Sequence, residues 1–525
     1  MYLARSIRFQ SPREATPDSR VAARLRIALE RTLIARATDA LWPRWICLRA
    51  LGLIFFSAFY SLAFQIHGLV GARGILPVAD YLGRVLAVVP GIKRLWYVPS
   101  VLWLDASDRA LTAVVALGIV CSLLVVVNVW PKLSVTACTV LFLSCVVTLQ
   151  DFSSYQSDGM LLEAGLISLF FAPRGIWPGL GAADPPSSIS RFMLRWEWFR
   201  IYFESGVVKL ASGDVHWRNL TAMDEYYQNG PLPAWPGWYV QHLPHWYHAG
   251  TVVLTLVIEL FVVWAVFLPR KFRIACFVGV TALQIGIIST ANYAFLNYLV
   301  LVLGVLLLDD EALARIRLPR PGVGASGPPS PVRGWFEGVA LVWIFYSTIW
   351  VFLAPGSRSW LARPEHALEP FRVANGYGLF AVMTEARYEI EFQGSTDDGK
   401  TWIAYPFRYK PQDVRERPGI YAPYQPRFEW NLWFSSLAPW QTSPWVVTAQ
   451  QRLIEGSPSV LALFRRDPFN GHPPQQVRTV LWQYWFTDRR TKQTTGAWWR
   501  RQMVGLFSGV LTRQSDGQFV LSESP

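Results

Sequence analysis

The sequence predicts a multi-pass α-helical membrane protein of about nine spans, each of about 20 apolar residues, followed by a β-rich soluble C-terminal domain. Three observations carry that prediction. Hydrophobic residues make up 52% of the 525 positions and charged residues only 16%, well below the roughly one quarter charged that soluble domains show. Long apolar runs recur through the first two thirds of the chain. Beyond residue 353 the runs shorten, and stretches such as RYEIEF alternate apolar with polar, the period of a half-buried strand.

The first 45 residues, with Arg5, Arg8, Arg13, Arg20, Arg24, Arg26, Arg31, Arg36 and Arg44, form an Arg-rich segment read as cytoplasmic. The apolar run that follows starts too late for a cleaved leader, so it reads as an uncleaved first span. Candidate spans lie near 46–66, 110–129, 133–149, 159–172, 191–211, 250–268, 273–289, 294–308 and 336–353. The fourth is short, and the fifth carries charges.

Lys and Arg are enriched in cytoplasmic loops near span ends. With the N-terminus inside, the inner loops hold Lys132, Arg174, Arg270, Lys271, Arg273, Arg315, Arg317, Arg320 and Arg333. Loops 150–158 and 290–293 hold no Lys or Arg, and 212–249 holds only Arg218. The 67–109 loop, with Arg73, Arg84, Lys93, Arg94 and Arg109, is the exception. The chain thus divides into the N-terminal segment 1–45, a membrane helical domain 46–308 and a cytoplasmic Pro/Gly linker 309–335. The last span 336–353 and an outside β-rich domain 354–525 complete it.

In that domain the alternation of RYEIEF, the Asp398-Gly399 pair and TWIAYPF read as a hairpin. PWVVTAQQRLIEG and SPSVLALF read as short helices, and VRTVLWQYWFTD as a strand. All five cysteines fall in the apolar runs, so the C-terminal domain is expected to fold without a disulfide.

The densest polar group in a predicted span is RWEWFRIYFESGVVKLASGD. Helical spacing puts Glu197, Arg200 and Glu204 on one face, while Arg195 and Lys209 share another. Charges at membrane depth face the bundle interior and pair, so ion pairs that lock helices outweigh a substrate or proton site. Lys209 has no acid partner on its own helix. His242, His245 and His248 recur every third residue without a carboxylate or cysteine in step, so no metal is assigned. No cofactor motif, nucleophile elbow or nucleic-acid-reading element accompanies the formal charge of +13. Asn219-Leu220-Thr221 is a glycosylation sequon on the predicted outer side. The runs RPGIYAPYQPRFEWNLWFSSL and TGAWWRRQMVG mix aromatics with Arg, which suits either a protein contact surface or packing onto the membrane helices. On the first reading Tyr424, Arg427, Trp430, Trp433, Trp498 and Trp499 are client-contact candidates.

SDGMLLEAGLISLFFAP, SGVVKLASGDVHWRNLTAMDEYYQNGPLP, ANYAFLNYLVLVL, EIEFQGSTDDGKTW, FRYKP, RPGIYAPYQPRFEWNLWF, VLALFRRDPF and TGAWWRR resemble, in order, the lipase maturation factor family over most of residues 150–505. The resemblance implies a membrane protein of the endoplasmic reticulum that helps secreted dimeric lipases, such as lipoprotein lipase, become folded and active. It implies that the C-terminal domain engages the client, and it supplies no catalytic residue. For a bacterial chain the location becomes the inner membrane. A shorter resemblance, from YFESGVVKL into the next loop, is to the vitamin K-dependent γ-carboxylase, and implies the alternative of a membrane enzyme with Lys209 as general base.

Overall fold

The computed structural model describes residues 36–153, 155–322, 331–353 and 359–522. The N-terminal segment up to residue 35 and most of the Pro/Gly/Ser linker, which the sequence reading made cytoplasmic, lie outside the described residues.

A helix forms at each of the nine predicted places. They are α1 (Leu41–Ala63), α2 (Asp108–Val126), α3 (Pro131–Val146), α4 (Gln156–Phe171), α5 (Ser188–Ala211), α6 (His245–Leu260), α7 (Arg270–Thr290), α8 (Leu296–Gly304) and α9 (Pro331–Leu353). Five are long and apolar enough to cross a membrane: α1, α2, α6 with its tight extension to Phe267, α7, and α9 from Gly334. α3 and the stretch Leu296–Leu307 are apolar but shorter. α4 is short and carries Asp158 and Glu163, and α5 carries six charged residues from Arg191 to Lys209. The expected nine spans are thus supported for five, and the other four helices are short or charged.

α1 is the central helix and packs on α2, α3, α4 and α8. Small residues allow close approach, as bilayer helices need when lipid offers no hydrophobic drive to associate. A Cβ on Gly118 of α2 would meet the Phe59 ring at 2.4 Å. Phe55 and Phe59, stacked 6.5 Å apart, both meet the Phe142 ring edge-on, with centroids 6.0 and 5.7 Å away.

The helix ends sort into two groups. At one end Asp310 caps α1 from a distance of 268 residues, accepting from the Trp42 amide at 2.8 Å and the Leu41 amide at 3.0 Å. Arg191 pairs with Asp39 at 2.7 Å, and Arg270 and Arg273 both reach Asp309. At the other end, called outer below, the C-terminal domain sits on α1's end and on the loops around residues 67–76, 150–158, 212–232 and 290–293.

That domain holds a five-stranded antiparallel sheet in the order β2-β1-β3-β4-β5. The strands are β1 (Arg387–Ser395), β2 (Ile403–Ala404), β3 (Gln476–Phe486), β4 (Trp499–Arg513) and β5 (Phe519–Ser522). The predicted hairpin joins β1 to β2, with Asp398 and Gly399 both at positive φ, 55° and 81°. The predicted helices form as α10's neighbours: α10 (Arg427–Ser435) precedes α11 (Trp445–Ile454) and a short turn Pro458–Leu461. α11 is tied to the sheet where Gln450 donates to the Val477 and Gly509 carbonyls at 2.9 and 3.1 Å. Several elements were not anticipated, β5 and the short helix Arg489–Thr495 among them. α10 forms inside a run rich in aromatics, and TGAWWRRQMVG opens the longest strand.

Candidate functional site

The polar cluster of α5 is a socket for the chain's own backbone. After the short helical turns that end at Phe371 the chain has no regular structure up to β1, and its residues 372–380 lie between α4 and α5. Irregular backbone at membrane depth is tolerated only when every peptide group finds a partner inside the protein. Here the helices supply them. Glu204 accepts from the Tyr377 amide at 2.7 Å, Glu163 of α4 from the Asn375 amide at 3.3 Å, Gln156 from the Gly378 amide at 3.1 Å, and Ser205 from the Leu379 amide at 3.4 Å. The Tyr377 hydroxyl also donates to Glu163, at 2.7 Å.

Arg200 closes the socket. Its guanidinium, 1% exposed, pairs with Glu163 across the helix boundary and donates to the Asn375 carbonyl at 3.0 Å. Glu204 stands 3.8 Å away, as the one-turn spacing anticipated. Glu197 does not join the pair: both its carboxyl oxygens are buried without a hydrogen bond in the structure. The partner that sequence reasoning missed is Glu163. It sits inside an apolar run, and helical spacing can pair residues only on one helix.

Lys209 finds its partner the same way. Its ammonium meets both oxygens of Glu259 on α6, at 2.8 and 3.0 Å, and stands 5.2 Å over the Trp217 ring. The lysine is 2% exposed. A general base needs an open path to the proton it takes, and this ammonium is enclosed by an acid and an indole. The γ-carboxylase alternative finds no support in that geometry.

At the outer end the C-terminal domain is locked onto the helices through α10. Arg427 makes a forked pair with Asp158 of α4, at 2.7 and 2.8 Å, and donates to the Phe152 carbonyl at 2.8 Å. Asn292 accepts from the Tyr421 amide at 2.7 Å and donates to the Gly419 carbonyl at 3.0 Å. Two residues further along α10, Glu429 accepts from the amides of Arg408, Tyr409 and Lys410, at 2.8, 2.8 and 2.6 Å. Complete burial nevertheless pushes its carboxyl up to about 7. A cavity of about 520 Å³ opens beside it, between Tyr60, Phe64 and Gln65 of the α1 end and Tyr409, Tyr424 and Phe428 of the domain.

The client-contact candidates lie in or near this seam. Arg427, Trp430, Trp433 and Trp499 are buried, and Tyr424 and Trp498 are half-buried. Trp430 packs on Tyr155 and Tyr293, and Trp498 on Trp238 and Tyr239. Arg427, Trp430 and Trp498 pack onto the helical part, whereas Trp499 packs within the domain on Tyr484 and Phe486.

The three histidines diverge. His242 faces the Trp238 carbonyl at 2.6 Å, His245 faces Asp224 at 2.9 Å, and His248 faces the Leu243 carbonyl at 3.0 Å. Among the described residues no three His, Cys, Asp or Glu side chains gather as metal ligands. Asn219 is exposed at the end of the short helix Val215–Arg218 on the outer side.

Residues 42–315 match the family description "Lipase maturation factor transmembrane domain", and residues 373–509 match "Lipase maturation factor C-terminal domain". Lipase maturation factor 2 of Gallus gallus is 31% identical over 89% of this chain and 80% of its own length. The Homo sapiens protein of that name is 30% identical, over 89% and 82%. Lipase maturation factor 1 of Bos taurus is 29% identical, over 90% and 89%. No solved structure gives a significant match. The first match takes in α1 to α8 and the second the socket segment with β1 to most of β4, while α9 and β5 fall outside both; the chain belongs to the lipase maturation factor family.

Proposed function

We propose that this chain is a membrane-bound maturation factor for secreted lipases that meets its client through the C-terminal domain. The observation that carries the reading is the match of both family parts along one chain whose two parts interlock at the Arg427–Asp158 pair. The helices act as a mount for the domain, and Arg387 of β1 and the Phe486 amide of β3 fasten one end of the sheet to the loop around residues 228–231. The domain then stands in the lumen of the endoplasmic reticulum, or in the periplasm if the chain is bacterial, with the N-terminus and linker cytoplasmic. Support comes from the Lys and Arg asymmetry and from the sorting of helix ends into two groups. On that topology Asn219 is open to glycosylation in a eukaryotic cell.

The client surface follows from what the seam leaves free. β4 runs from Trp499 to Arg513 but pairs with β5 only over Val510–Arg513. Along the rest of its outer edge, Met503 and Val504 are 46% and 54% exposed. A free strand edge flanked by apolar side chains suits an incompletely folded chain, which can add to it as a strand. Photocrosslinkers at Met503 and Val504 are expected to capture a co-expressed lipase before it becomes active, and capture only from the buried Trp430 position would sink the assignment. A reporter active only in the cytoplasm, fused after residue 525, is expected to stay silent.

A further inference from the structure

We propose that residues 78–104 form an amphipathic platform that docks into the phospholipid headgroup layer of the leaflet on the C-terminal domain's side. This segment belongs to the loop whose cations break the inside rule, and it contains no long apolar helix. It folds as the helix Val78–Val88, a turn at Pro90 and Gly91 with Gly91 at φ 76°, and short helical turns up to Trp103.

One face is fastened to the bundle. Val78, Leu82, Val98 and Leu102 are buried. Gln150 donates to the Leu76 carbonyl at 3.0 Å, and the Val101 amide donates to Ser144, in the last turn of α3, at 3.1 Å. The Trp96 ring stacks edge-on against Phe371 at 4.9 Å, just before the socket segment. The platform therefore sits level with the outer turns of the helices and not above them.

The opposite face is apolar and bare. Val88 and Ile92 are 80% and 82% exposed, with Leu86, Leu95, Trp96 and Tyr97 exposed beside them. A patch of that density on a surface marks a buried interface. Two observations choose lipid as its occupant. The segment connects α1 to α2, two helices long and apolar enough to cross a membrane, and it is fastened to α3, whose Leu133 and Val140 are themselves exposed. Residues 78–104 also carry three cations, Arg84, Lys93 and Arg94, against one acid, Asp80, so the segment presents a net positive charge to phosphates above an apolar edge of Trp and Tyr. That is the composition of an in-plane interfacial element. Long Lys and Arg stems allow the apolar rows to sink while the charges stay at the headgroups. The same docking accounts for the loop's cations, which need no cytoplasmic placement.

The test uses the full chain in phospholipid vesicles, with Val88→Cys or Ile92→Cys carrying an environment-sensitive fluorophore. Ser515→Cys, in an exposed turn of the C-terminal domain, is the aqueous reference. The five native cysteines are buried, and the parent chain measures their background. Lipid brominated near the headgroup is expected to remove most of the emission at 88 and 92, while iodide removes several-fold less there than at 515. Iodide quenching equal to the reference would place the face in water. Shielding from both quenchers would place a protein, a client or a second copy, on it. Either result overturns the proposal. Adding anionic lipid is expected to increase lipid quenching at 92, and Arg84→Gln with Lys93→Gln to abolish that increase. An increase that survives the double change removes the cations from the mechanism.

Discussion

Arg427 and Asp158 are 269 residues apart in sequence, and they meet in a forked pair from which water is excluded. One belongs to the sheet domain, the other to a membrane helix. Removing one partner of a buried pair leaves an uncompensated charge, at a cost of about 3–5 kcal/mol, whereas replacing both with apolar groups is often neutral. Arg427→Met or Asp158→Asn alone is therefore expected to lower the unfolding midpoint and expose the 372–386 connection to protease. Arg427→Met with Asp158→Leu should restore much of the loss. Midpoints of the four proteins in detergent check this, and additive losses would mean that the pair is not the lock.

The socket predicts a graded response. Tyr377→Phe removes one hydrogen bond to Glu163 and leaves a buried acceptor short of a donor, which costs about 1–3 kcal/mol. Asn375→Ala removes the side-chain bonds to Glu163 and to the Gly159 carbonyl. Both are expected to speed hydrogen exchange in residues 372–380 while leaving that of α1 and α2 unchanged. Equal acceleration across all helices would show general destabilisation instead.

Lys209 separates a structural from a chemical role. Lys209→Ala strands Glu259 in the bundle and is expected to reduce the amount of folded protein. Lys209→Met with Glu259→Leu removes both charges and is expected to restore folding together with lipase maturation, compared at matched protein level. Normal folding with no maturation in the double variant would revive the reading of Lys209 as a base.

Glu429 gives stability a pH dependence of definite sign. Its carboxyl is raised from the usual 4.5 to about 7, so the folded state holds the proton more tightly than the unfolded state does. The penalty of burying its charge is absent below about 4.5, grows as pH rises to about 7 and stays level above that. Subtracting the melting curve of Glu429→Gln from that of the parent chain should expose this fall between those limits. A difference that rises with pH would mean that the three amides outweigh burial.

Composition and periodicity by themselves determined the membrane class, the position of all nine helices, the Asp398-Gly399 hairpin, α11 and β3. These properties rest on local signals: apolar run length, a period of two or 3.6, and turn chemistry at one pair of residues. The ordered family segments identified the lineage for the same reason, since they are read along the chain. The pairing of Arg200 with Glu204 was also local, one turn apart on α5.

Only the tertiary structure decided who neutralises whom. Glu163 and Glu259 sit in apolar runs and Asp158 in a stretch read as a loop, all on helices other than those of Arg200, Lys209 and Arg427, and no spacing rule connects residues on separate elements. The burial of Trp430, Trp433 and Trp499 has the same origin. An aromatic side chain suits a client surface and an internal seam equally well, and the choice depends on what packs against it. α10 and β4 were missed because their runs are rich in Trp and Arg on both faces, so neither period stands out until the sheet and α4 supply the missing walls. Burial at membrane depth raises the cost of every unpaired charge and peptide group. Three-dimensional packing alone could therefore turn scattered acids into a socket for the chain's own backbone.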